Sequence, residues 1–403
     1  MAKARKKIIY LDHAATTPVD PSIVRLMARY SKTEFFNPSA LYDEAIAVRR
    51  DIEDQRDLLA RAIGVTRGEV IFAGGATESN NMAIYGAFWA AKAAGIIQPH
   101  MIMSATEHPS VRSTIKLMAK RGLIVYSELP VNEEGVVSAK ELRELVHADT
   151  VLISLHMVNN ETGVVQPIGS VMKTVRWLRK QSGSRYPLVH IDAVQATNYY
   201  PTGLPQLGVD MMTLSSQKCY GPKGFGVLIK RSGVVIEAQS GGGGQENGYR
   251  PGTENVSSII GGVTAILTAH KKREAEFSRL AGLRDWFIGR LDQIVPNIMI
   301  HGSRLSDDHQ SPHIVSFTIP SIQGELLVIE LSERGILAAA RAACSADDLE
   351  PSHVLSAMYQ NTPHHMLVVT TGAVRLSFGR KTNQKELEKV LKALSHIIEK
   401  YQG

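Results

Sequence analysis

Short apolar runs alternate with amphipathic stretches through the first two-thirds of the chain. Residues 70–72, 100–103, 124–126, 151–156, 188–191, 211–214 and 225–229 have the length and apolar continuity of buried strands. Helix-length segments lie between many of them, at 79–94, 110–120, 139–146 and 168–181. Strands apolar on both faces and separated by helices predict a mostly parallel seven-stranded sheet covered on both sides, an α/β architecture. The last two runs are too close for a helical crossover and are expected to pair as an antiparallel hairpin. Beyond the glycine cluster at 241–244 the pattern changes. A long helical stretch (256–291) leads to strands near 314–319 and 374–377, then to an amphipathic helix at 384–401. This predicts a large domain over 21–260 and a smaller α+β domain over 261–403, with segment 1–20 packing on the small one.

Bulk composition narrows the function classes. The chain has 403 residues, 44% hydrophobic and 21% charged, which is ordinary for a globular protein. A net charge of +6 is modest, and its small basic clusters come without a helix-turn-helix, zinc-finger or RNA-binding motif, so no nucleic-acid role is expected. The only cysteines, Cys219 and Cys344, are too few for a disulfide framework and suggest a reducing compartment. No uninterrupted run of about eighteen apolar residues and no secretory signal are present, so a cytoplasmic protein without a membrane span is expected.

Candidate chemistry sits where the predicted strands end, which is where ligands bind in open α/β sheets. In "AGGATESNN" (73–81), Gly74 and Gly75 precede a helix start whose Ala76 and Thr77 N–H groups suit a phosphate, although the same pattern is a plain helix cap. It is neither a Walker loop nor a GxGxxG fingerprint, which disfavours ATP and NAD. "HIDAVQ" (190–195) puts Asp192 at the end of an apolar strand, where a carboxylate needs a cationic partner or strong donors, and Gln195 beside it as a donor. His108 in "TEHPSV" and Asn160 in "MVNNETG" follow other strands, His108 as a ring able to stack and move protons or as a simple cap. "SSQKCYGPKGFGVLIK" (215–230) sets Lys218 at a strand end before a tight turn, an odd place for a solvated lysine.

Together these are the parts that hold pyridoxal phosphate. Lysine bonds the aldehyde, the carboxylate keeps the ring nitrogen protonated, and the charged ring becomes an electron sink. No metal is implied.

The ordered motifs resemble the cysteine desulfurases of the NifS/IscS type, within the fold-type I pyridoxal-phosphate enzymes. They are "YLDHAATTPVDP", "NPS", "GATESNN", "TEHPSV", "VNNETGVVQ", "DAVQ", "SSQKCYGPKGFGVL", "GGGGQENGYRPGTEN", "ACSADDLEPSHVL" and "VRLSFGRKT", running from residue 10 to 382. The resemblance implies that Lys218 carries the cofactor, Asp192 pairs with its ring nitrogen and Gln195 contacts its ring hydroxyl. His108 would stack on the ring and assist proton transfer, with Thr77, Ser215 and Gln217 at the phosphate. Asn160 and Arg375 would hold the substrate carboxylate, and Thr253 would reach the phosphate of a neighbouring subunit in a homodimer. Cys344 would take sulfur from L-cysteine, leaving alanine and an enzyme persulfide for a sulfur-acceptor protein. Cys219 is read as structural. Arg250 and Arg380 match family positions, as ligands or as structural ion pairs.

Departures are equally specific. Gln217 stands where the family usually has His, which removes a titratable donor. The His and Gly expected after "NPS" are replaced by "ALYDEA", and a polar stretch near 179–187 is extra. The sequence stops soon after the final helix, without the extension that scaffold-dependent members use. The sulfur acceptor is left open between an iron–sulfur scaffold, a tRNA-modification enzyme and another carrier. A selenocysteine lyase or an aminotransferase-like relative is the alternative, and Cys344 argues against the aminotransferase.

Overall fold

The computed structural model describes residues 8–306, 309–320, 322–340, 352–362 and 372–402. Cys344 lies outside them. Seven strands form one sheet in the order Val70–Ala73, Gly226–Lys230, Met211–Ser215, Leu188–Asp192, Thr150–His156, His100–Ser104 and Val125–Leu129. All neighbours run parallel except Gly226–Lys230, which is antiparallel to both of its partners. The expected α/β sheet and the terminal hairpin are therefore both present. Central strands are buried along their whole length, whereas the edge strand Val125–Leu129 is largely half-exposed, as a strand with one covered side should be.

A second, four-stranded antiparallel sheet runs Ala339–Ala340, Ala373–Ser377, Ile314–Thr318 and Met299–Ile300. The helix Gln384–Gln402 packs its Leu387, Val390, Leu394 and Ile397 into the core of this region. One 39-residue helix, Val256–Ile294, serves both regions. Its first half buries Ile259, Val263, Ile266 and Ala269 with the large sheet. Its second half buries Leu280, Phe287, Ile288 and Leu291 in the other core. The helix is thus continuous across residue 260, and its apolar face changes partner between Ala269 and Leu280.

The N-terminal segment joins the second core. Strand Ile9–Tyr10 pairs in parallel with Ile336–Leu337, and Leu11 is fully buried there. The Tyr10 hydroxyl, within bonding reach of Asp12 O and Thr16 O at 2.9 Å each, closes a compact turn over residues 12–16. That turn carries Ala14 and Ala15 to the ends of the large sheet's strands.

The glycine-rich stretch after residue 240 needs an anchor, since glycine loses the most backbone freedom on ordering. Glu246 supplies it, at a positive φ of 50°. The Arg56 guanidinium grips its carboxylate with two bonds of 2.7 and 2.8 Å, Phe72 N donates to it at 2.8 Å, and Arg56 lies over the Phe72 ring at 4.3 Å. Both partners are buried. Removing one partner of a buried pair leaves the other charge uncompensated, so Arg56→Met should lower stability by about 3–5 kcal/mol. Urea denaturation checks this, and adding Glu246→Gln should recover a large part of the loss.

Candidate active site

A cavity of about 800 Å³ opens at the carboxyl ends of the parallel strands. Ala76, Thr77, His108, Asn160, Asp192, Gln195, Ser215, Gln217, Lys218 and Arg375 all line it, although they are scattered over three hundred residues of sequence. Thr253 does not line it. It is exposed, in the segment following the Glu246 anchor. Cys344 is outside the described residues.

The floor at one end is built by close backbone approach. Gly75, with φ 154°, caps the helix Ala76–Ala93, so the unpaired N–H groups of that helix's first turn open toward the cavity. A Cβ on Gly226 would stand 2.3 Å from the Gly75 carbonyl carbon, so this strand position must be glycine for the turn to sit against it. Glu78 already takes the Gly74 N–H at 2.5 Å and is paired with Arg250 at 3.0 Å. Arg250 therefore has a structural ion-pair partner. The Ser215 hydroxyl donates to Phe225 O at 3.2 Å and would have to rotate to meet an anion.

Asp192 ends its strand as a buried carboxylate with a donor on each oxygen: Asn80 Nδ2 at 2.8 Å and Val194 N at 3.0 Å. Asn80 Nδ2 also reaches Ser110 Oγ at 2.8 Å, and Ser110 Oγ lies 2.8 Å from His108 Nδ1. A polar chain thus runs from Asp192 to His108. Ser110 N donates to His108 Nδ1 at 3.1 Å, which places the neutral ring's proton on Nε2. Burial pushes the His108 pKa below its usual value; Lys218 adds to the depression and Asp192 opposes it. His108 is at once the N-cap of Pro109–Lys120 and a wall of the cavity, so the two readings of this residue describe one geometry. Asn80 and Ser110 lie inside the quoted motifs without being among the expected site residues. A buried asparagine on an otherwise apolar helix face was the available signal.

Lys218 ends the short turn Ser216–Lys218 that follows strand Met211–Ser215. Its Nζ donates to Ala14 O at 2.8 Å and to Ala15 O. It is half-buried and held by the N-terminal turn, unlike a solvated hairpin lysine. Gln195 Nε2 donates to the same Ala14 O at 2.9 Å. The Gln217 carbonyl accepts from Thr17 N at 3.0 Å, while the residue lines the cavity. Neighbouring Cys219 is fully buried, and burial pushes its thiol up to about 12, which makes it a poor nucleophile.

Arg375 is buried between three parts of the chain. It donates to Asn160 O at 2.7 Å and to Asp12 Oδ1 at 2.6 Å, while its buried Nε has no partner among the described residues. Asp12 compensates the guanidinium charge. Ala339 pairs directly with Arg375 in the small sheet. Beyond the 341–351 segment, the Ser352 hydroxyl donates to Glu161 Oε2 at 2.5 Å and His353 Nε2 lies 2.9 Å from Glu107 O. The flanks of the segment containing Cys344 are therefore tied to Arg375 in the cavity wall and to Glu161 and Glu107, the chain neighbours of the wall residues Asn160 and His108.

The sequence profile described as aminotransferase class-V matches residues 9–390. The chain belongs to the class-V aminotransferase family. Within this family it is an enzyme of the cysteine desulfurase branch. It is 37% identical to the cysteine desulfurase IscS of Dictyoglomus turgidum, over 98% of this chain and 95% of that one. It is 36% identical to the IscS of Methanosarcina thermophila, over 98% and 93%. A solved structure titled NifS-like protein superposes with a TM-score of 0.86 at 30% identity, covering 97% of this chain and 99% of that one. This class-V chain has the NifS-like fold-type I architecture that its motifs implied. Among the described residues no helix is long and apolar enough to cross a membrane, and no group of three or more His, Cys, Asp and Glu side chains is placed to hold a metal.

Several buried histidines should make this class-V fold sensitive to acid. Burial lowers His190 and His301 to about 4 and His313 to about 3. The unfolded chain takes up protons near pH 6.5 while the folded one does not, so stability is full above that pH and falls as pH drops toward 4. The three together should steepen the loss to as much as about 4 kcal/mol per pH unit. Denaturation midpoints measured from neutral pH downward check the sign and the slope.

Proposed function

We propose that the cavity binds pyridoxal phosphate and that the protein removes sulfur from L-cysteine, leaving L-alanine and a persulfide on Cys344. The observation that carries this reading is the convergence of Lys218, Asp192, His108 and Arg375 on one cavity. The donor set fits the cofactor. Asp192, supported by Asn80, would face the ring nitrogen, Lys218 the aldehyde carbon, and the first-turn amides with Thr77, Ser215 and Gln217 the phosphate. Once bound, the cofactor would supply an electron sink for the pair released at the substrate's α-carbon.

The chain's own groups do the rest. Arg375 and Asn160 bind the substrate carboxylate, and the guanidinium's flat fork favours that shape. Neutral His108 can accept a proton at one step and return it at another. The Cys344 thiolate attacks the substrate sulfur, so an S–S bond forms as the C–S bond breaks and the electron pair passes to the substrate carbon side. Protons delivered to that carbon skeleton complete alanine. Cys219, buried with a raised pKa, takes no part.

The same reading includes a homodimer in which exposed Thr253 reaches the partner's phosphate. It also includes a large domain over 21–260, a small domain over 261–403 and a cytoplasmic location. The persulfide would be passed to a sulfur-acceptor protein serving iron–sulfur or thio-cofactor synthesis.

Purified protein loaded with pyridoxal phosphate should turn yellow and form alanine from cysteine. Lys218→Ala should abolish turnover. Cys344→Ser should stay yellow and bind cysteine, yet lose alanine formation by about a thousandfold or more, the scale for removing a nucleophile. Full turnover in Cys344→Ser, or turnover of selenocysteine but not cysteine, would replace this reading.

A further inference from the structure

Residues 309–313 leave the small sheet and dock on the turn that carries Asn160. Val165 N donates to His309 O at 2.9 Å, Gln310 Nε2 to Thr162 O at 2.9 Å, and Ser311 N to Gly163 O at 2.8 Å. His313 follows, buried, its ring stacked on Tyr199 with centroids 4.4 Å apart. Its Nδ1 lies 2.6 Å from Ser311 Oγ and its Nε2 lies 3.3 Å from Gln195 Oε1.

Gln195 sets the direction of both bonds. Its amide nitrogen donates to Ala14 O, so the atom facing His313 is a carbonyl oxygen, which can only accept. His313 Nε2 must therefore carry the proton, and Nδ1 accepts from the Ser311 hydroxyl. Burial holds His313 down to about 3, with Arg375, His13 and Arg284 adding to the depression. The neutral tautomer thus persists throughout the working range of pH.

We propose that Ser311 and His313 are positioning residues that lock the Gln195 amide so that it presents an N–H, and not an oxygen, to the cavity. An amide flip costs little by itself. Here it would set oxygen against Ala14 O and N–H against His313 N–H. Among the described residues the Gln195 nitrogen has one acceptor, Ala14 O, which leaves its second hydrogen for a ligand in the cavity that Gln195 lines. Resting on the pyridoxal-phosphate reading above, that acceptor is the ring oxygen. The lock ties the second core to the electronic state of the ring.

Two measurements test it. In cofactor-free protein, nitrogen-15 NMR should show His313 as the neutral Nε2–H tautomer between about pH 5 and about pH 8. An imidazolium or the Nδ1–H tautomer there overturns the lock, whether or not the protein binds cofactor. In loaded protein, a donor on the ring oxygen stabilises its negative charge most after the chromophore has lost its proton. His313→Leu should therefore raise the pH at which the visible band changes by about half a unit or more. His313→Gln, which keeps an N–H near the Nε2 position, should restore most of the shift, and Ser311→Ala should give a smaller rise if His313→Leu fails to fold. A purely structural role would lower the melting temperature and leave that pH unmoved, and an unmoved pH in the folded variants overturns the proposal. Failure of wild-type protein to take up pyridoxal phosphate would sink the functional reading instead, with the NMR result still deciding the lock.

Discussion

The burial of the Arg375 guanidinium constrains most of the site. A buried cation must be paired; Asp12 and Asn160 O answer the guanidinium, and the Arg375 backbone is held by a third part of the chain. Asp12 belongs to the N-terminal turn, Asn160 O to a loop of the large sheet, and Ala339 is its strand partner in the small sheet. Meeting that demand fixes residues 12–16, and with them the Ala14 and Ala15 carbonyls. Those carbonyls hold the Lys218 ammonium and the Gln195 amide. Lys218 is thus held by carbonyls of the turn that the Arg375–Asp12 ion pair anchors.

This dependence explains which features could be foreseen from residues alone. The alternation of apolar runs with helical segments was sufficient for the sheet, because strands buried on both faces leave no other pattern. Lys218, Asp192 and His108 stood out because each put a costly polar group at the end of an apolar run. Ala14 and Ala15 could not stand out, since their contribution is a backbone carbonyl that any residue type carries. The polar chain through Asn80 and Ser110 joins elements thirty to more than one hundred residues apart, and only folding reveals that its members meet. The uninterrupted helix Val256–Ile294 was hidden for another reason. Its apolar face turns between two cores, so no single stripe runs its length.

The glycine-rich stretch concentrates strain at two neighbouring residues, Glu246 and Asn247, with φ of 50° and 56°. Glu246 adopts a positive φ that costs a side-chain-bearing residue of order 1 kcal/mol or more. The buried Arg56 fork and the Phe72 amide hold it there. With that point fixed, Arg250 reaches Glu78 at the start of the helix Ala76–Ala93. The loop is therefore anchored at both a core ion pair and the rim of the cavity, and Thr253 projects beyond the rim.

Charge balance in the cavity follows from the same parts. Lys218 and Arg375 are the cationic side chains lining it, and Asp192 and Glu78 are the anionic ones. Glu78 already holds Arg250, so on the proposed reading a phosphate at that end would meet helix amides and hydroxyls and not the Arg250 guanidinium. Gln217 fits this arrangement, because an amide donor keeps one charge state throughout the range in which an imidazole would titrate. At the other end the Arg375 charge is already compensated by Asp12. On the proposed reading, an incoming carboxylate would share the guanidinium with Asp12 and Asn160 O, which would weaken ground-state capture. On that reading, the ion pair that orders the site would also limit how tightly the site could hold its substrate.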